Sequence, residues 1–271
     1  MAEEVKVRMK QDDLNTWDEL ENKVSELYEF LKSNSSSIGG NCSRPLFRGQ
    51  RCSSWHLSTT LERYVNRSVS VESYNEYLGR IKSAVESYTA NKWKVDPTNP
   101  ELGLREVFQD PPNYEFMAYV RHHGFPSPLL DWSQSIYIAL FFAFHKANIK
   151  GRVAIYAYVE VLGSGKHGYG GAPQICELGP YVSTHKRHFM QQGQYTISVE
   201  KPDKDWVYCS HEKVFNAKAD DQDYLIKFTL PGGIKNQVLK KLQSMNINSF
   251  TLYGSEDSLM DMLAFKEILP S

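Results

Sequence analysis

The sequence predicts an α+β fold, with helices in the first half of the chain and strands in the second. Apolar residues recur at helical spacing up to about residue 145, whereas later segments are short runs of Val, Ile, Tyr, Phe and Thr bounded by Gly, Pro or Asp. The 271 residues are 41% hydrophobic, which is enough apolar material for one large core. We therefore expect a single domain over 1–271, with 1–40 as an N-terminal helical extension.

The first half is expected to hold helices and one short strand. Helices are predicted over 18–31, 55–64, 70–90, 114–123 and 136–145. The strand is expected at 45–50, where apolar residues precede a glycine that ends the run. Loops are expected at 33–40, which is rich in serine and glycine, and at 91–113, which contains several prolines.

The second half is expected to hold strands at 152–160, 194–200 and 224–230. A Pro-Gly-Gly turn precedes a predicted helix at 234–245, and 250–265 is expected to form a last strand and helix. The glycine-rich segment 163–171 lacks the lysine-serine ending of a phosphate-binding loop, so it is interpreted as an ordinary loop.

Charge and cysteine spacing exclude several classes of protein. The 31 basic and 32 acidic residues give a formal charge of −1, so a nucleic acid would have to meet a local patch. The four cysteines show neither a CxxC pair nor zinc-finger spacing, and we expect reduced thiols and no metal. The absence of an apolar signal segment, or of a run of roughly 18 apolar residues, predicts a cytoplasmic protein without a membrane partner.

The segment 121–133 is the strongest functional signal in the chain. It places basic, aromatic and acidic side chains around two prolines and leads directly into the apolar run 136–143. A buried helix draws neighbouring polar groups against the core, where they need partners. We therefore expect these side chains to perform chemistry.

Ordered motifs indicate a family. They are Phe47-Arg48-Gly49-Gln50, Trp55 and Leu57 leading to Leu61-Glu62-Arg63, His122-His123-Gly124 with Pro126, Leu129-Leu130-Asp131-Trp132-Ser133, and Ala139-Leu140-Phe141-Phe142-Ala143. In this order they closely resemble the FRG domain, which is named for its Phe-Arg-Gly motif. The resemblance is densest over 46–147 and thins towards Gln191, Gly193 and Tyr195, and towards a Thr-Leu-Tyr motif at 251–253.

The same motifs are similar to ADP-ribosyltransferases of the arginine-serine-glutamate type. Arg48-Gly49 matches the arginine strand of that family, and Asp131-Trp132-Ser133 matches the serine strand that precedes an apolar helix. Residues 187–197 resemble the strand that carries the catalytic glutamate, with Gln191 in place of the acid. This resemblance implies an ADP-ribosyltransferase-like split β-sheet core beside the helical N-terminal half.

The resemblance also implies a site that takes NAD as its substrate and needs no metal. Arg48, together with Gly49 and Gln50, would clamp the pyrophosphate through the fixed fork of the guanidinium. Ser133 would orient the ribose or hold the segment that carries Gln191. Gln191 could hydrogen-bond the 2′-hydroxyl of the ribose, although an amide cannot act as a base.

Histidines, an aspartate and aromatic rings complete the expected site. His122 and His123 cannot both face one pocket from a helix, so His123 is preferred as the catalytic residue and His122 as a cofactor contact, with a helix-end cap as the alternative for either. Asp131 would polarise a hydroxyl or orient a histidine, unless it forms a buried ion pair with the arginine of the Phe-Arg-Gly motif. Tyr119, Trp132 or Tyr195 would stack on nicotinamide, although a core anchor is the more common role for a residue such as Trp132.

Three classes of function follow. The first is a toxin that transfers ADP-ribose from NAD to a nucleic acid or a translation-related protein, in a toxin–antitoxin or phage-defence setting with an antitoxin or regulatory partner. The second is a non-catalytic module that binds a nucleotide or RNA, which the missing glutamate favours. The third is a metal-independent nuclease or an NAD hydrolase, with His123 and Asp131 as acid and base.

Overall fold

The computed structural model describes residues 9–34, 42–95, 113–161, 171–179, 186–216 and 223–268. Most of each loop expected at 33–40, 91–113 and 163–171 lies outside these ranges. Within them, helices and strands form a mixed α+β fold, which confirms the predicted class. None of the described helices combines the length and apolarity needed to cross a membrane.

The described strands form one sheet. They are β1 (Met9–Asp13), β2 (Leu46–Gln50), β3 (Leu130–Ser133), β4 (Arg152–Val159), β5 (Gln174–Leu178), β6 (Gly193–Glu200), β7 (Val207–Tyr208) and β8 (Tyr224–Pro231). Their order is β1-β8-β4-β2-β3-β6-β5, with β7 paired to β6. β1 runs parallel to β8, and the other pairs are antiparallel.

The described helices cover both faces of this sheet. They are α1 (Trp17–Asn34), α2 (Thr60–Tyr64), α3 (Val71–Thr89), α4 (Tyr114–His122), α5 (Ile136–Phe144), α6 (Lys186–Met190), α7 (His211–Asn216), α8 (Lys235–Ser244), α9 (Ser249–Tyr253) and α10 (Glu256–Ile268), with a 3₁₀ turn at Gly232–Ile234.

The sheet almost divides between β2 and β3. Phe47 opposite Ser133 is the one residue pair between these strands, whereas five pairs join β2 to β4 and four join β3 to β6. One apolar cluster nevertheless contains residues of both halves, and in it the rings of Trp132 and Tyr158 lie 5.5 Å apart. The backbones of the two halves therefore separate between β2 and β3, while apolar side chains of both halves remain packed together.

Each half has its own helical layer. Helices α1, α5 and α8 bury apolar side chains against β2, β4 and β8, including Leu20, Phe144 and Leu242. Helices α3 and α4 pack on β5 and β6, with Tyr74 and Met117 fully buried. Because α1 belongs to the first of these cores, the described part of the expected N-terminal extension, 9–34, packs onto the rest of the structure.

Helix α5 lies unusually close to β2. Ser135 caps its N-terminus, and its buried residues lie all round the helix, as expected for a core helix. A Cβ atom on Gly49 would overlap the carbonyl oxygen of Ala139 and lie 2.6 Å from the amide nitrogen of Ala143. Glycine is thus required at this position because the backbones of strand and helix are in contact.

Two predicted elements are wrong. The helix expected at 55–64 begins only at Thr60, because Thr59 is its N-cap and forms a reciprocal capping box with Glu62. The strand expected at the start of 250–265 is instead helix α9, which Asn248 and Thr251 cap in the same manner. The sequence also did not predict strands β1, β5 and β7 or helices α6 and α7.

Candidate functional site

A cleft of about 870 Å³ opens where the two halves of the sheet separate. Its walls come from β2, β3, the loop between β2 and α2, the end of α4, helix α6, the start of β6 and the end of α9. The volume lies within the range of roughly 300–1,000 Å³ typical of small-molecule sites.

The cleft is strongly basic. Five arginines line it: Arg48, Arg51, Arg63, Arg121 and Arg187. Asp131 is the one carboxylate among the lining residues that the structure describes. This imbalance raises the local concentration of anions, although the whole chain is almost neutral.

Asp131 is anchored by two of these arginines. Arg121 donates from Nε to Oδ1 at 2.6 Å and from Nη2 to Oδ2, and Nη1 of Arg48 donates to the backbone carbonyl oxygen of Asp131 at 2.8 Å. Nη1 of Arg48 also lies 3.8 Å from Oδ2. The ion pair considered between Arg48 and Asp131 is therefore present, but Arg121 makes the closer contact.

These contacts keep Asp131 ionised. Burial raises the pKa of Asp131, but the adjacent Arg121 and Arg48 outweigh that effect and hold the pKa at about 2. Burial in turn lowers the pKa of Arg48 to about 10. A carboxylate paired in this way is a poor proton acceptor, so Asp131 serves as an anchor and not as the expected acid or base.

The acidity of Asp131 predicts a pH dependence of stability. A folded-state pKa of about 2 against an ordinary value of 3.8 means that the stabilisation is complete above about pH 4 and is lost as the pH falls towards 2. We expect the urea midpoint of the wild type to fall more steeply across this interval than that of Asp131→Asn. Parallel profiles for the two proteins would show that the ion pair contributes nothing.

The two histidines of α4 point in different directions. His122 lines the cleft, and its Nε2 lies 2.7 Å from the hydroxyl of Tyr195. His123 is the C-cap of α4, is exposed, and stacks on Tyr119 with ring centroids 4.5 Å apart. Neighbouring helical residues project about 100° apart, which explains the divergence. The structure therefore places His122 at the cleft, and not the preferred His123.

Ser133 and Gln191 line the cleft but are already hydrogen-bonded. The hydroxyl of Ser133 donates to the backbone carbonyl oxygen of Gln191 at 2.8 Å, and the side-chain amide of Gln191 donates to the carbonyl oxygen of Leu252 at 3.1 Å. Gln191 lies in the turn before β6 and not within a strand. These two residues join β3, the turn and α9 into one wall.

Residues 43–151 match the model of the FRG domain family. Over this segment, which is less than half of the chain, the protein is similar to the FRG domain. The matched segment carries Arg48, Arg51, Arg63, Arg121 and Asp131, and the cleft residues of α6, β6 and α9 lie beyond it. No curated protein and no solved structure matches the chain.

Three of the expected nucleotide contacts have structural roles. Gly49 allows the backbone of α5 to contact β2. Trp132 is 4% exposed, and its indole N–H donates to the hydroxyl of Thr196 at 2.8 Å. Tyr195 is 2% exposed and stacks on His188 at 5.3 Å. Trp132 and Tyr195 are thus core residues and not stacking platforms.

Two other aromatic rings stand at the rim of the cleft, each beneath an arginine. Cζ of Arg51 lies 5.5 Å from the ring centroid of Trp55, and Cζ of Arg187 lies 5.8 Å from that of Tyr253. Trp55 is 49% exposed. Both rings belong to motifs that carry the family resemblance, so the sequence marks them, but their pairing with arginines depends on the fold.

A buried histidine, His211, lies beyond the segment that matches the FRG domain and contacts the sheet near the cleft. Nε2 of His211 lies 2.8 Å from the hydroxyl of Thr196, which also accepts the indole N–H of Trp132. Burial and the nearby Arg48 lower the pKa of His211 to about 3, so the ring is neutral. His211 therefore fixes the start of α7 against the sheet.

A second carboxylate, that of Glu212, contacts a histidine that lines the cleft. Oε2 of Glu212 lies 3.0 Å from Nδ1 of His56, and Oε1 accepts the backbone N–H of Leu57 at 2.7 Å. His56 lines the cleft. Sequence reasoning missed this pair because its members are 156 residues apart.

The described residues contain no cluster of three or more His, Cys, Asp or Glu side chains that could hold a metal ion. Cys42, Cys52, Cys176 and Cys209 are free thiols.

Proposed function

We propose that the protein transfers ADP-ribose from NAD to a nucleic-acid acceptor. The observation that carries this proposal is the arginine-lined cleft at the point where the sheet divides. Arg48 of β2 and Ser133 of β3 stand at that point in the order that the transferase resemblance implies.

The chemistry of NAD suits this cleft. The pyrophosphate carries two negative charges, and guanidinium groups recognise phosphate through paired hydrogen bonds. The rim pairs Arg51–Trp55 and Arg187–Tyr253 offer surfaces on which the adenine and nicotinamide rings could stack. The bond between ribose and nicotinamide breaks through a cation-like state, so a fixed ligand in a preorganised electrostatic site accounts for much of the rate.

The residues at the mouth of the cleft suit a nucleic-acid acceptor. Arg51, Arg63 and Trp55 are exposed there, and exposed arginines beside an aromatic ring suit a phosphate backbone with unstacked bases. We propose that this transfer acts as a toxin in a toxin–antitoxin or phage-defence setting, controlled by an antitoxin or other regulatory protein.

A second candidate function is binding of a nucleotide without turnover. It is favoured by Gln191 in the place of the expected glutamate and by the engagement of Asp131 with two arginines.

One assay separates these functions. The purified protein is incubated with NAD labelled in its adenosine part, in the presence of RNA, DNA or cell protein, and nicotinamide is measured. Release of nicotinamide with label on RNA or DNA is the expected result, and label on protein would reassign the acceptor. Release without transfer would indicate an NAD hydrolase. Binding of NAD without release would indicate the binding module, and absence of both would contradict every NAD-based function.

The arginines at the rim give a matched pair of variants. Arg51→Ala should weaken NAD binding by about tenfold, because an exposed hydrogen bond to a charged group contributes at the lower end of roughly 1.5–3 kcal/mol. Arg80→Ala removes an exposed arginine of α3 that pairs with Glu76 outside the cleft, and should leave affinity unchanged. Isothermal titration with NAD measures both. Equal affinities for the two variants would place the phosphates elsewhere.

A further inference from the structure

One imidazole at the mouth of the cleft has an open ring nitrogen. A carboxylate only accepts hydrogen bonds, so the contact with Glu212 places a proton on Nδ1 of His56 and leaves the lone pair of the neutral ring on Nε2. The His56 side chain is 86% exposed, and the ring lines the cleft. His56 therefore presents a proton acceptor to a molecule that enters from solvent.

The other histidines and the aspartate of the described lining do not. Nε2 of His122 is engaged by the hydroxyl of Tyr195 at 2.7 Å. His188 is buried, and its Nε2 is shielded from solvent. Asp131 is engaged by Arg121 and Arg48.

The histidine and its carboxylate are held in position from both sides. The side-chain amide of Gln50 donates to the backbone carbonyl oxygen of His56 at 3.3 Å, which ties the loop to β2. Glu212 directly follows the buried His211, which is tied to β6 through Thr196. The second oxygen of Glu212 holds Leu57, which is 1% exposed. The dyad thus connects the loop over β2 to the helix beneath the cleft.

We propose that His56 is the general base of the ADP-ribosyl transfer and that Glu212 is its positioning residue, a role that rests on the function proposed above. Nε2 of His56 takes the proton of the acceptor hydroxyl while the hydroxyl oxygen forms a bond to C1′ of the NAD ribose. The bond between C1′ and the nicotinamide nitrogen breaks, its electron pair passes to that nitrogen, and nicotinamide leaves neutral. The imidazolium, paired with Glu212, then releases the proton to solvent. This arrangement supplies the base that Gln191 cannot provide.

The test measures nicotinamide release from NAD with total RNA as the acceptor. His56→Ala should lower kcat by about 100-fold or more, the usual contribution of a general base, with KM for NAD changed by no more than about threefold. Free imidazole should restore part of the rate, because the exposed site admits a small base. A residue with a purely structural role would not be rescued in this way.

Glu212→Gln tests the positioning role. The glutamine keeps an oxygen for the N–H of Leu57 but turns an amide N–H towards Nδ1 of His56, which forces the ring proton onto Nε2. We expect kcat to fall by about tenfold or more at unchanged KM. Asp261→Asn is the matched control, since it removes the carboxylate charge from a second histidine–carboxylate pair, His145–Asp261, whose atoms lie 2.7 Å apart outside the cleft. It should leave kcat unchanged.

The outcomes separate this role from the proposed function. Wild-type kcat in His56→Ala, or a loss that imidazole does not restore, would overturn the role of His56 and leave the transfer itself standing. An unchanged kcat in Glu212→Gln would overturn the role of Glu212. Failure of the wild type to release nicotinamide would overturn the proposed function, and the role of the dyad with it.

Discussion

Gly49→Ala should destabilise the protein by about 3 kcal/mol or more, at or above the upper end of the usual penalty for overpacking a core. The added methyl group would overlap the carbonyl oxygen of Ala139 and meet the amide nitrogen of Ala143, which are backbone atoms and cannot rotate away. Helix α5 would have to move off β2, and the buried faces of both elements would lose contact. Urea unfolding followed by circular dichroism measures the change.

Gly151→Ala is the matched control for this substitution. The nearest atom to a Cβ at Gly151 is the carbonyl oxygen of Asn148 at 3.7 Å, an ordinary contact, and its backbone does not adopt positive φ. We expect its stability to differ from wild type by less than about 1 kcal/mol. Equal stability of the two variants would mean that α5 can be displaced from β2 without loss.

Arg121→Met should destabilise the protein by about 2–3 kcal/mol. Removing one partner of a buried ion pair usually costs about 3–5 kcal/mol, and the 44% exposure of the Asp131 side chain lets water compensate part of that loss. Arg121 itself is 9% exposed and also donates to the hydroxyl of Thr60, so α4, β3 and α2 lose a common link. The same unfolding experiment at neutral pH measures the difference.

Two further variants identify the source of the loss. Arg63→Met removes an arginine that also lines the cleft but is exposed, and it should change stability by less than about 1 kcal/mol. Combining Arg121→Met with Asp131→Asn should recover part of the lost stability, because the uncompensated charge is removed. A double variant as unstable as the sum of the single ones would contradict coupling between the two residues.

Local sequence patterns predicted the elements whose structure is decided locally. Helices α1, α3, α4, α5 and α8 agree with their predicted spans to within a few residues, because each segment carries its own pattern of apolar residues. The capping boxes of α2 and α9 were also visible in the sequence, in Thr59 with Glu62 and in Asn248 with Thr251. These pairs mark the true starts of both helices.

The remaining elements depend on distant partners. β1, with the sequence Met-Lys-Gln-Asp-Asp, has no strand pattern of its own and is extended because it pairs with β8 across more than 200 residues. The same limit applies to the site. Arg48 and Asp131 were predicted to be close, but Arg121 as the principal partner of Asp131, the engagement of Ser133 with Gln191 and the link between His56 and Glu212 all arise from contacts that no local pattern encodes.

Because only one residue pair joins β2 to β3, a ligand in the cleft would help to hold the two halves of the sheet together. Arg48 and Arg51 reach the cleft from one half of the sheet, and Arg187 reaches it from a helix that packs on β6 of the other half. A polyanion held by these arginines would act as a non-covalent cross-link across a seam that Phe47 and Ser133 close with one pairing. Any ligand of the folded state adds stability in proportion to the logarithm of its concentration over Kd. In this protein the ligand would add that stability between β2 and β3, where backbone pairing is weakest.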